Sequence, residues 1–247
     1  PNGGGKSTLI LAILGLLKPR TGYINVYGKA PMSKATIGRI GWVPQAATEL
    51  PHNLRITVKE FIQLGLLSSN FLRQYLDFFI APPAFFKQRK KNQIKIDKII
   101  ETVGLKQYAN TMISNLSGGQ RQRAAIGKAL ASEADLLLMD EPMVGVDVDS
   151  RNSIMRLLDD LCHEQNKTIV MISHDLASMK RTAHRMIYLE HKIRYDGTAE
   201  DFPDLSSLAE LRGIEATHPE ADSAKSDVVK SDDVVIIVSP GIEGGES

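Results

Sequence analysis

The fold is decided by the stretch LLLMDEP at residues 136–142, a short apolar run that ends in two acidic residues. An unbroken apolar run of this length predicts a parallel strand that is buried on both faces of a sheet. Ligands of open α/β sheets bind beyond the carboxyl ends of the strands, so Asp140 and Glu141 are candidate ligand-binding residues. The alternative is a strand that ends in a solvated acidic turn.

The start of the chain carries a phosphate-binding pattern. Residues 1–7, PNGGGKS, supply seven of the eight positions of the pattern G-x-x-x-x-G-K-[ST]. Glycines let backbone N–H groups turn toward phosphate oxygens, and the N-terminus of the following helix favours an anion. Lys6 can reach the β- and γ-phosphates, and the Ser7 hydroxyl can bind Mg²⁺. The alternative is a glycine-rich turn that begins a helix, with an incidental lysine.

Apolar runs alternate with longer amphipathic ones along the rest of the chain, which is typical of an α/β domain. Strands are predicted at residues 23–27, 39–43, 136–139, 168–172 and 186–189, and helices at residues 6–17, 57–66, 92–103, 119–132 and 149–164. Thr57 and Glu60 have the spacing of a capping box, which predicts a helix start. Residues 195–198 predict a turn into a short last helix.

The composition is that of a globular protein. Of the 247 residues, 43% are hydrophobic and 24% are charged, which excludes a wholly disordered or collagen-like chain. No run of about 18 uncharged apolar residues occurs, so no transmembrane helix is predicted. The single cysteine, Cys162, excludes an internal disulfide and a zinc site built from several thiolates, and it fits a reducing compartment.

Two segments differ from this pattern. Residues 68–98 contain six aromatic residues, a Pro-Pro break and the basic run KQRKK. Residues 214–247 carry a net charge of −6, which leaves +7 on the rest of the chain. We expect this acidic tail to be mostly disordered. Its exception is the strand-like run VVIIV at residues 234–238, which suits either an edge strand or a segment that docks on a partner.

The most specific motif is LSGGQ at residues 116–120, followed directly by RQR. Five fixed letters over about 240 starting positions arise by chance with a probability on the order of 10⁻⁴. A serine-capped helix start alone does not explain why this motif accompanies a phosphate loop and an acidic strand end. The sequence therefore resembles the ATP-binding cassette family, as the nucleotide-binding subunit of a transporter. The leading glycine of the family's phosphate loop (Walker A) would precede Pro1, so we expect the chain to be cut inside that motif.

The resemblance implies an α/β fold, with a RecA-like P-loop NTPase core, a parallel-rich sheet and an inserted α-helical subdomain. The core would comprise residues 1–58 and 119–212, without its first strands. The helical subdomain would comprise residues 59–118 and end in the signature motif LSGGQ. Residues 213–247 would form the acidic tail.

The resemblance also implies roles for individual residues. ATP would be bound by Asn2, Gly3, Gly4, Gly5, Lys6, Ser7 and Thr8 of one subunit, and by Ser117, Gly118, Gly119, Gln120 and the D-loop residue Asp147 of a second. Mg²⁺ would be bound by Ser7, Gln45 and Asp140. The catalytic residues would be Glu141, His174, Gln45 and Lys6. Glu141 would deprotonate the attacking water, Gln45 of the Q-loop would contact that water or Mg²⁺, and the switch histidine His174 would contact the γ-phosphate.

The implied function is ATP hydrolysis that powers substrate translocation through ATP-driven, head-to-tail dimerisation, with ATP and Mg²⁺ as cofactors. The partners would be a second nucleotide-binding subunit, permease subunits and an extracytoplasmic substrate-binding protein, with no nucleic acid. The chain would lie peripherally at the cytoplasmic face of the cell membrane. Residues 3–5 and 43–58 are similar to cassettes of zinc, manganese and iron-chelate importers, which favours a metal ion or metal chelate as the substrate.

Two alternatives stay open. The first is a soluble ATPase of the same family that acts on nucleic acid or the ribosome, with residues 71–91 as its nucleic-acid contact. The short separation of about 70 residues between Gln45 and Ser117, and the single set of motifs, disfavour it. The second is a nucleotide-binding module that no longer hydrolyses ATP. The intact residues Lys6, Asp140, Glu141 and His174 disfavour that alternative.

Overall fold

The computed structural model of the chain describes residues 5–45, 55–66, 82–190, 192–203 and 234–238. The helices of this part are α1 (Lys6–Ile13), α2 (Val58–Gln63), α3 (Pro82–Thr102), α4 (Gly118–Ala131), α5 (Val148–His163) and α6 (Leu176–Thr182). The strands are β1 (Ile40–Val43), β2 (Leu136–Asp140), β3 (Thr168–Ser173), β4 (Arg185–Glu190), β5 (Lys192–Thr198) and β6 (Val234–Val238). Within these residues, no helix is both long enough and apolar enough to span a bilayer.

One sheet of six strands joins these elements, in the order β1-β2-β3-β6-β4-β5. β1, β2 and β3 pair in parallel, while β6 runs antiparallel to both of its neighbours and β5 antiparallel to β4. Four strands, β1 to β4, therefore point in one direction, which confirms the predicted α/β fold with a parallel-rich sheet. Their carboxyl ends lie at one edge of the sheet, where the predicted site residues follow β2 and β3.

The predicted strand at residues 136–139 is confirmed as β2, and it is buried on both faces. Leu137 and Met139 belong to the larger apolar cluster, which also contains residues of α4 and α5. Leu136 and Leu138 point to the other face, where they pack in a smaller cluster with Ile10 of α1. Side chains of a strand alternate between faces, so one apolar run serves both layers of the core.

The helices α2, α3 and α4 pack against one another and share the larger apolar cluster with β2. The predicted capping box begins α2: the Thr57 hydroxyl accepts from the Glu60 N–H at 3.2 Å, and the Thr57 N–H donates to Glu60 Oε2 at 2.7 Å. Ile62 of α2 lies against Gly127 of α4, where a Cβ would come within 3.0 Å of Ile62 Cδ1. The close approach of α2 and α4 therefore requires glycine, which has no side chain, at position 127. The subdomain limits 59 and 118 stay a prediction.

The tail contributes a strand inside the sheet rather than at its edge. β6 lies between β3 and β4, with Val234 opposite both Ser173 and Tyr188. An unbroken apolar sequence suits an internal strand, which has neighbours on both sides. The sequence instead predicts an edge strand or a segment that docks on a partner. No local pattern shows that the strand pairs between β3 and β4. The other tail residues, 204–233 and 239–247, lie outside the described residues, as does most of the aromatic-basic segment.

Several predicted elements differ from the observed ones. Helix α3 begins at Pro82, ten residues before the predicted start at residue 92. Helix α1 ends at Ile13 instead of residue 17, because Gly15 adopts a left-handed conformation (φ +76°) that ends helices. The strand predicted at residues 23–27 is reduced to a bridge between Val26 and Lys29. Between them, Tyr27 (φ +51°) and Gly28 (φ +71°) form a tight turn. Residues 195–198 are not a turn: they pair with β4 as part of β5.

Candidate active site

Three chain segments meet at the carboxyl edge of the sheet. Asp140 and Glu141 end β2, and His174 follows β3 directly. Because Asp140 pairs with Ile172 in the parallel ladder, the two strand ends lie side by side. The start of α1 brings Lys6 to the same place. The structure therefore assembles four of the predicted site residues from positions up to 168 residues apart.

Gly5 shapes the entry into α1. It is the residue before the helix and has φ +95°, a conformation that glycine adopts at little steric cost. Among the described residues, no atom lies within 4 Å of the position that a Cβ would take there, so these residues leave the space beside the helix start open. The Leu9 N–H donates to the Gly5 carbonyl at 2.8 Å, which closes the first turn. This arrangement leaves the N–H groups of the first helical turn directed at the open space, as an anion site requires.

Lys6, Glu141 and His174 form a cluster in which the lysine and the glutamate are almost fully buried. The Lys6 Nζ lies 3.3 Å from His174 Nε2 and 3.9 Å from Glu141 Oε1. His174 Nε2 lies 2.5 Å from the same Glu141 oxygen. Only 8% of the Lys6 side chain and 13% of the Glu141 side chain are exposed. Glu141 therefore contacts both groups that the resemblance assigns to phosphate binding.

The backbone at Glu141 is strained. Its φ of +46° lies in the left-handed region, which costs a non-glycine residue about 1–3 kcal/mol. Two hydrogen bonds fix this turn: the Glu141 N–H donates to the Ile172 carbonyl at 3.0 Å, and the Val144 N–H donates to the Glu141 carbonyl at 3.2 Å. The turn bends the chain sharply after β2, so that the Glu141 carboxylate faces Lys6 instead of continuing the strand.

Ser7 and Asp140 form a second, oxygen-only pair beside this cluster. The Ser7 hydroxyl donates to Asp140 Oδ2 at 3.2 Å. Mg²⁺ prefers oxygen ligands and is usually held by one or two protein groups together with phosphate oxygens and water. In the described part of the chain, no group of three or more His, Cys, Asp or Glu residues could hold a metal by itself. The pair therefore fits a magnesium ion that arrives with a nucleotide.

Two of the remaining predicted residues, Gln45 and Thr8, make no described hydrogen bond to the cluster. Gln45 follows β1 and is exposed, and among the described residues it makes no hydrogen bond to any of these side chains. Thr8 is exposed on the first turn of α1. Asn2, Gly3 and Gly4 lie outside the described residues. Their roles stay predictions.

Comparison with known proteins decides the family, because the model of the "ABC transporter" family matches residues 1–144, more than half of the chain. The chain belongs to the ABC transporter family. The zinc uptake system ATP-binding protein ZurA of Listeria monocytogenes is 33% identical over 86% of the chain and 80% of the relative. The manganese transport system ATP-binding protein MntB of Bacillus subtilis is 36% identical over 87% of the chain and 71% of the relative.

A solved structure agrees with this assignment. An ATP-binding cassette in a dimeric, post-hydrolysis state bound to ADP and Pi has a TM-score of 0.63, with 27% identity over 82% of the chain and 84% of its own. The chain is thus an ATPase of the ABC transporter family, as its sequence predicts. The comparisons support a transporter subunit over an ATPase of nucleic acid or the ribosome.

The signature motif of this ABC ATPase begins α4 with its own capping box. The Ser117 hydroxyl accepts from the Gln120 N–H at 3.3 Å, and the Ser117 N–H donates to Gln120 Oε1 at 2.9 Å. Ser117 is exposed. Within the described residues, no hydrogen bond or ion pair joins residues 117–120 to Lys6 or Ser7 of the same chain. Ser117 is therefore the residue of the motif that is presented to the outside.

The two signature glycines pack against the D-loop of their own chain. A Cβ on Gly118 would lie 2.7 Å from the Gly145 carbonyl oxygen, and a Cβ on Gly119 would lie 2.5 Å from Ser150 Cβ. The neighbouring D-loop residue Asp147 caps α5 by accepting from the Ser150 N–H at 2.9 Å. Hydrogen bonds from Ser150 hold the pKa of the Asp147 carboxyl below its ordinary value. Signature and D-loop thus form one packed surface, which the sequence motifs do not reveal.

Two residues near the site were missed as functional candidates from sequence. Asp175 directly follows the switch histidine, and Arg151 lies on the first turn of α5; their side chains pair at 3.4 Å. The spacing of Asp175 and Ser178 is that of a helix N-cap, which could have marked Asp175 as a structural anchor. No sequence signal connects Arg151 to it.

Proposed function

We propose that the chain is the ATP-hydrolysing subunit of an ABC importer for a divalent metal ion. The observation that carries this proposal is the cluster of Lys6, Glu141 and His174, in which an ammonium group, a carboxylate and an imidazole lie within 4 Å of one another. The names of the two relatives, a zinc uptake and a manganese transport ATP-binding protein, support the metal substrate.

Nucleotide binding rearranges the charged cluster. The ATP phosphates occupy the open space before α1, where the helix N-terminus and Lys6 attract them. Lys6 exchanges Glu141 for the β- and γ-phosphates, because phosphate carries more negative charge than one carboxylate. Ser7 and Asp140, with Gln45, would hold the Mg²⁺ that accompanies ATP, and this ion would neutralise part of the phosphate charge.

The chemical step is an in-line attack of water on the γ-phosphorus. Glu141, released from Lys6, accepts a proton from the water as its oxygen bonds to phosphorus. The bond to the bridging oxygen breaks, and ADP leaves with that electron pair. Lys6 and His174 stabilise the negative charge on the transferred phosphoryl oxygens, and Gln45 orients the water. The left-handed turn at Glu141 keeps the base fixed beside the phosphate.

The second half of each site comes from another subunit. Ser117, Gly118, Gly119 and Gln120 would close over the nucleotide bound to the partner's phosphate loop, with Asp147 beside them. The exposure of Ser117 and the absence of described contacts between the signature and Lys6 support this arrangement. A related cassette was solved as a dimer with ADP and Pi. ATP binding then closes the dimer, and hydrolysis reopens it.

Closure of the dimer is passed to the transporter's other subunits. We place the chain peripherally at the cytoplasmic face of the membrane, bound to permease subunits through the helical subdomain and the region of Gln45. An extracytoplasmic binding protein delivers the metal ion or its chelate, and no nucleic acid takes part.

The catalytic assignment is tested by Glu141→Gln. Glutamine keeps the shape and a carbonyl acceptor but does not take a proton from water, so turnover should fall by about 10²–10⁴-fold while ATP binding persists. Steady-state phosphate release and equilibrium ATP binding check this. Unchanged turnover would refute the role of Glu141.

The substrate assignment needs a separate measurement. The chain, co-expressed with its own permease and binding-protein subunits in vesicles, should drive ATP-dependent uptake of zinc or manganese. The Glu141→Gln variant is the matched control. Uptake of a chelate but not of free ions would assign the chelate instead, and hydrolysis stimulated by neither would refute a metal substrate.

A further inference from the structure

A small hydrogen-bond network surrounds Asp175, the residue after the switch histidine. Asp175 accepts from the Ser178 N–H at 3.0 Å and from the Ser178 hydroxyl at 2.7 Å, which caps α6. Its own N–H donates to the Ser173 hydroxyl at 3.1 Å. Asp175 Oδ2 also lies 3.4 Å from Arg151 Nη1. Asp175, the residue after His174, is thus fixed to α6 and to Arg151 by its carboxylate and to Ser173 by its backbone N–H.

The charges around Asp175 keep this network ionised. Burial opposes the charge, but the two hydrogen bonds from Ser178 and the nearby guanidinium groups of Arg151 and Arg181 together lower the pKa of the carboxyl. An ionised carboxylate beside a guanidinium makes a charge-assisted contact, which is stronger and more directional than a neutral one. Arg151 is therefore a specific partner of Asp175.

Arg151 is also bonded to the D-loop, through its backbone N–H. Arg151 lies one turn after Asp147, and its N–H donates to the Asp147 carbonyl at 2.9 Å. Asp147 caps the same turn of α5. A displacement of the D-loop would therefore move the first turn of α5 and the Arg151 side chain with it.

We propose that Arg151 is a positioning residue that couples the D-loop to the switch histidine. When the partner subunit engages the D-loop, Arg151 sets the place of Asp175 and thereby of His174 relative to Glu141 and the γ-phosphate. This inference rests on the proposed roles of His174 and of the dimer. Because Arg151 is not proposed to contact the nucleotide, its substitution should change turnover and leave nucleotide binding unchanged.

The test compares Arg151→Met with Arg156→Met. Both arginines lie on α5 and line the same cleft of about 530 Å³ between α5 and α6, but only Arg151 bonds to Asp175. Arg151→Met should lower kcat about two- to fivefold, the range that a partly exposed ion pair can supply, with an unchanged KM for ATP. Arg156→Met should leave kcat unchanged, and Arg151→Lys should restore part of it.

A double-mutant cycle separates positioning from a general loss of stability. If Arg151 acts through Asp175, the kcat of Arg151→Met/Asp175→Asn should equal that of Asp175→Asn alone. Multiplicative effects of the two changes, or an equal effect of Arg156→Met, would overturn the inference. His174→Ala is measured in parallel. If it keeps full turnover, the proposed function itself fails; if it abolishes turnover while Arg151→Met matches Arg156→Met, only the coupling fails.

Discussion

The contact between Lys6 and Glu141 predicts that Glu141→Gln binds nucleotide more tightly than the wild type. In the structure, the Glu141 carboxylate lies beside the Lys6 ammonium group that would bind the ATP phosphates. ATP binding must therefore displace this carboxylate. Glutamine removes the charge and leaves the ammonium available. The prediction concerns affinity and is independent of the loss of turnover.

The magnitude follows from the distance and burial of the pair. Two unit charges 3.9 Å apart attract each other by about 4 kcal/mol at an effective dielectric constant near 20, which suits side chains exposed by only 8% and 13%. Glutamine keeps a carbonyl oxygen near Lys6, and a charge-assisted bond exceeds a neutral one by about 1–2 kcal/mol. The affinity should therefore rise about five- to thirtyfold.

The assay is titration with a non-hydrolysable ATP analogue at protein concentrations low enough to keep the chain monomeric. Glu141→Gln also removes repulsion between the carboxylate and the phosphates, so a cycle with Lys6→Met is needed. The gain should disappear in the Lys6→Met background if Glu141 acts through Lys6. An unchanged or weaker affinity of Glu141→Gln, or the same gain without the lysine, would refute the reasoning.

Three further perturbations test other parts of the account. Lys6→Ala should lose nucleotide affinity and hydrolysis together, because it removes the buried cation that faces the phosphates; intact affinity in a binding titration would contradict the phosphate-loop assignment. Ile236→Pro removes a backbone donor opposite Met171 and Met186 in β6, so it should lower the thermal unfolding midpoint by about 5 °C, whereas an unchanged midpoint would show that β6 adds no stability. Burial, and less strongly Asp159, raise the pKa of Cys162 to about 11 from 9.0. The thiol ionises more readily in the unfolded chain than in the folded one. The stability that the neutral, buried thiol contributes is therefore fully present below pH 9 and is lost as the pH rises toward 11, by at most about 3 kcal/mol. Cys162→Ala should remove that part of the alkaline loss measured by denaturant unfolding.

The core of the fold could be predicted because its signals are local. The apolar run at residues 136–139 has no competing helical period, and the capping box at Thr57 specifies its own helix start. The predictions at Gly15 and at Tyr27–Gly28 were wrong because left-handed residues override hydrophobic periodicity within one turn. The internal position of β6 depends on pairing with residues that lie 46 or more positions away in the chain, which no local pattern encodes.

In the site, too, the sequence predicted what local motifs specify but not the contacts between distant residues. Lys6, Ser7, Asp140, Glu141 and His174 were predicted from motifs, and the parallel register of β2 and β3 explains why they meet. The contacts among them were not predicted, since a motif does not show that Glu141 lies beside Lys6. Arg151 was not predicted as a functional residue, because its partner Asp175 lies 24 residues away and their spacing belongs to no motif.

The signature role needs a substitution that leaves the subunit's own structure intact. Gly119 is unsuitable, because any side chain there would collide with Ser150 of the same chain. Ser117→Asp is better, since aspartate caps a helix as well as serine does and adds one negative charge at an exposed position. Ser117→Asn, which has the same shape without the charge, is the control. Turnover should collapse in Ser117→Asp and largely persist in Ser117→Asn.

The most direct test of the two-subunit site is the ATPase rate of an equimolar mixture of Ser117→Asp and Lys6→Ala chains. Each variant alone should be inactive, because every site of its dimer carries one lesion. A mixed dimer has one site with both lesions and one site with neither. Random pairing makes half of the dimers mixed, so about one quarter of the wild-type rate should return. A mixture that is no more active than the separate variants would contradict the two-subunit site.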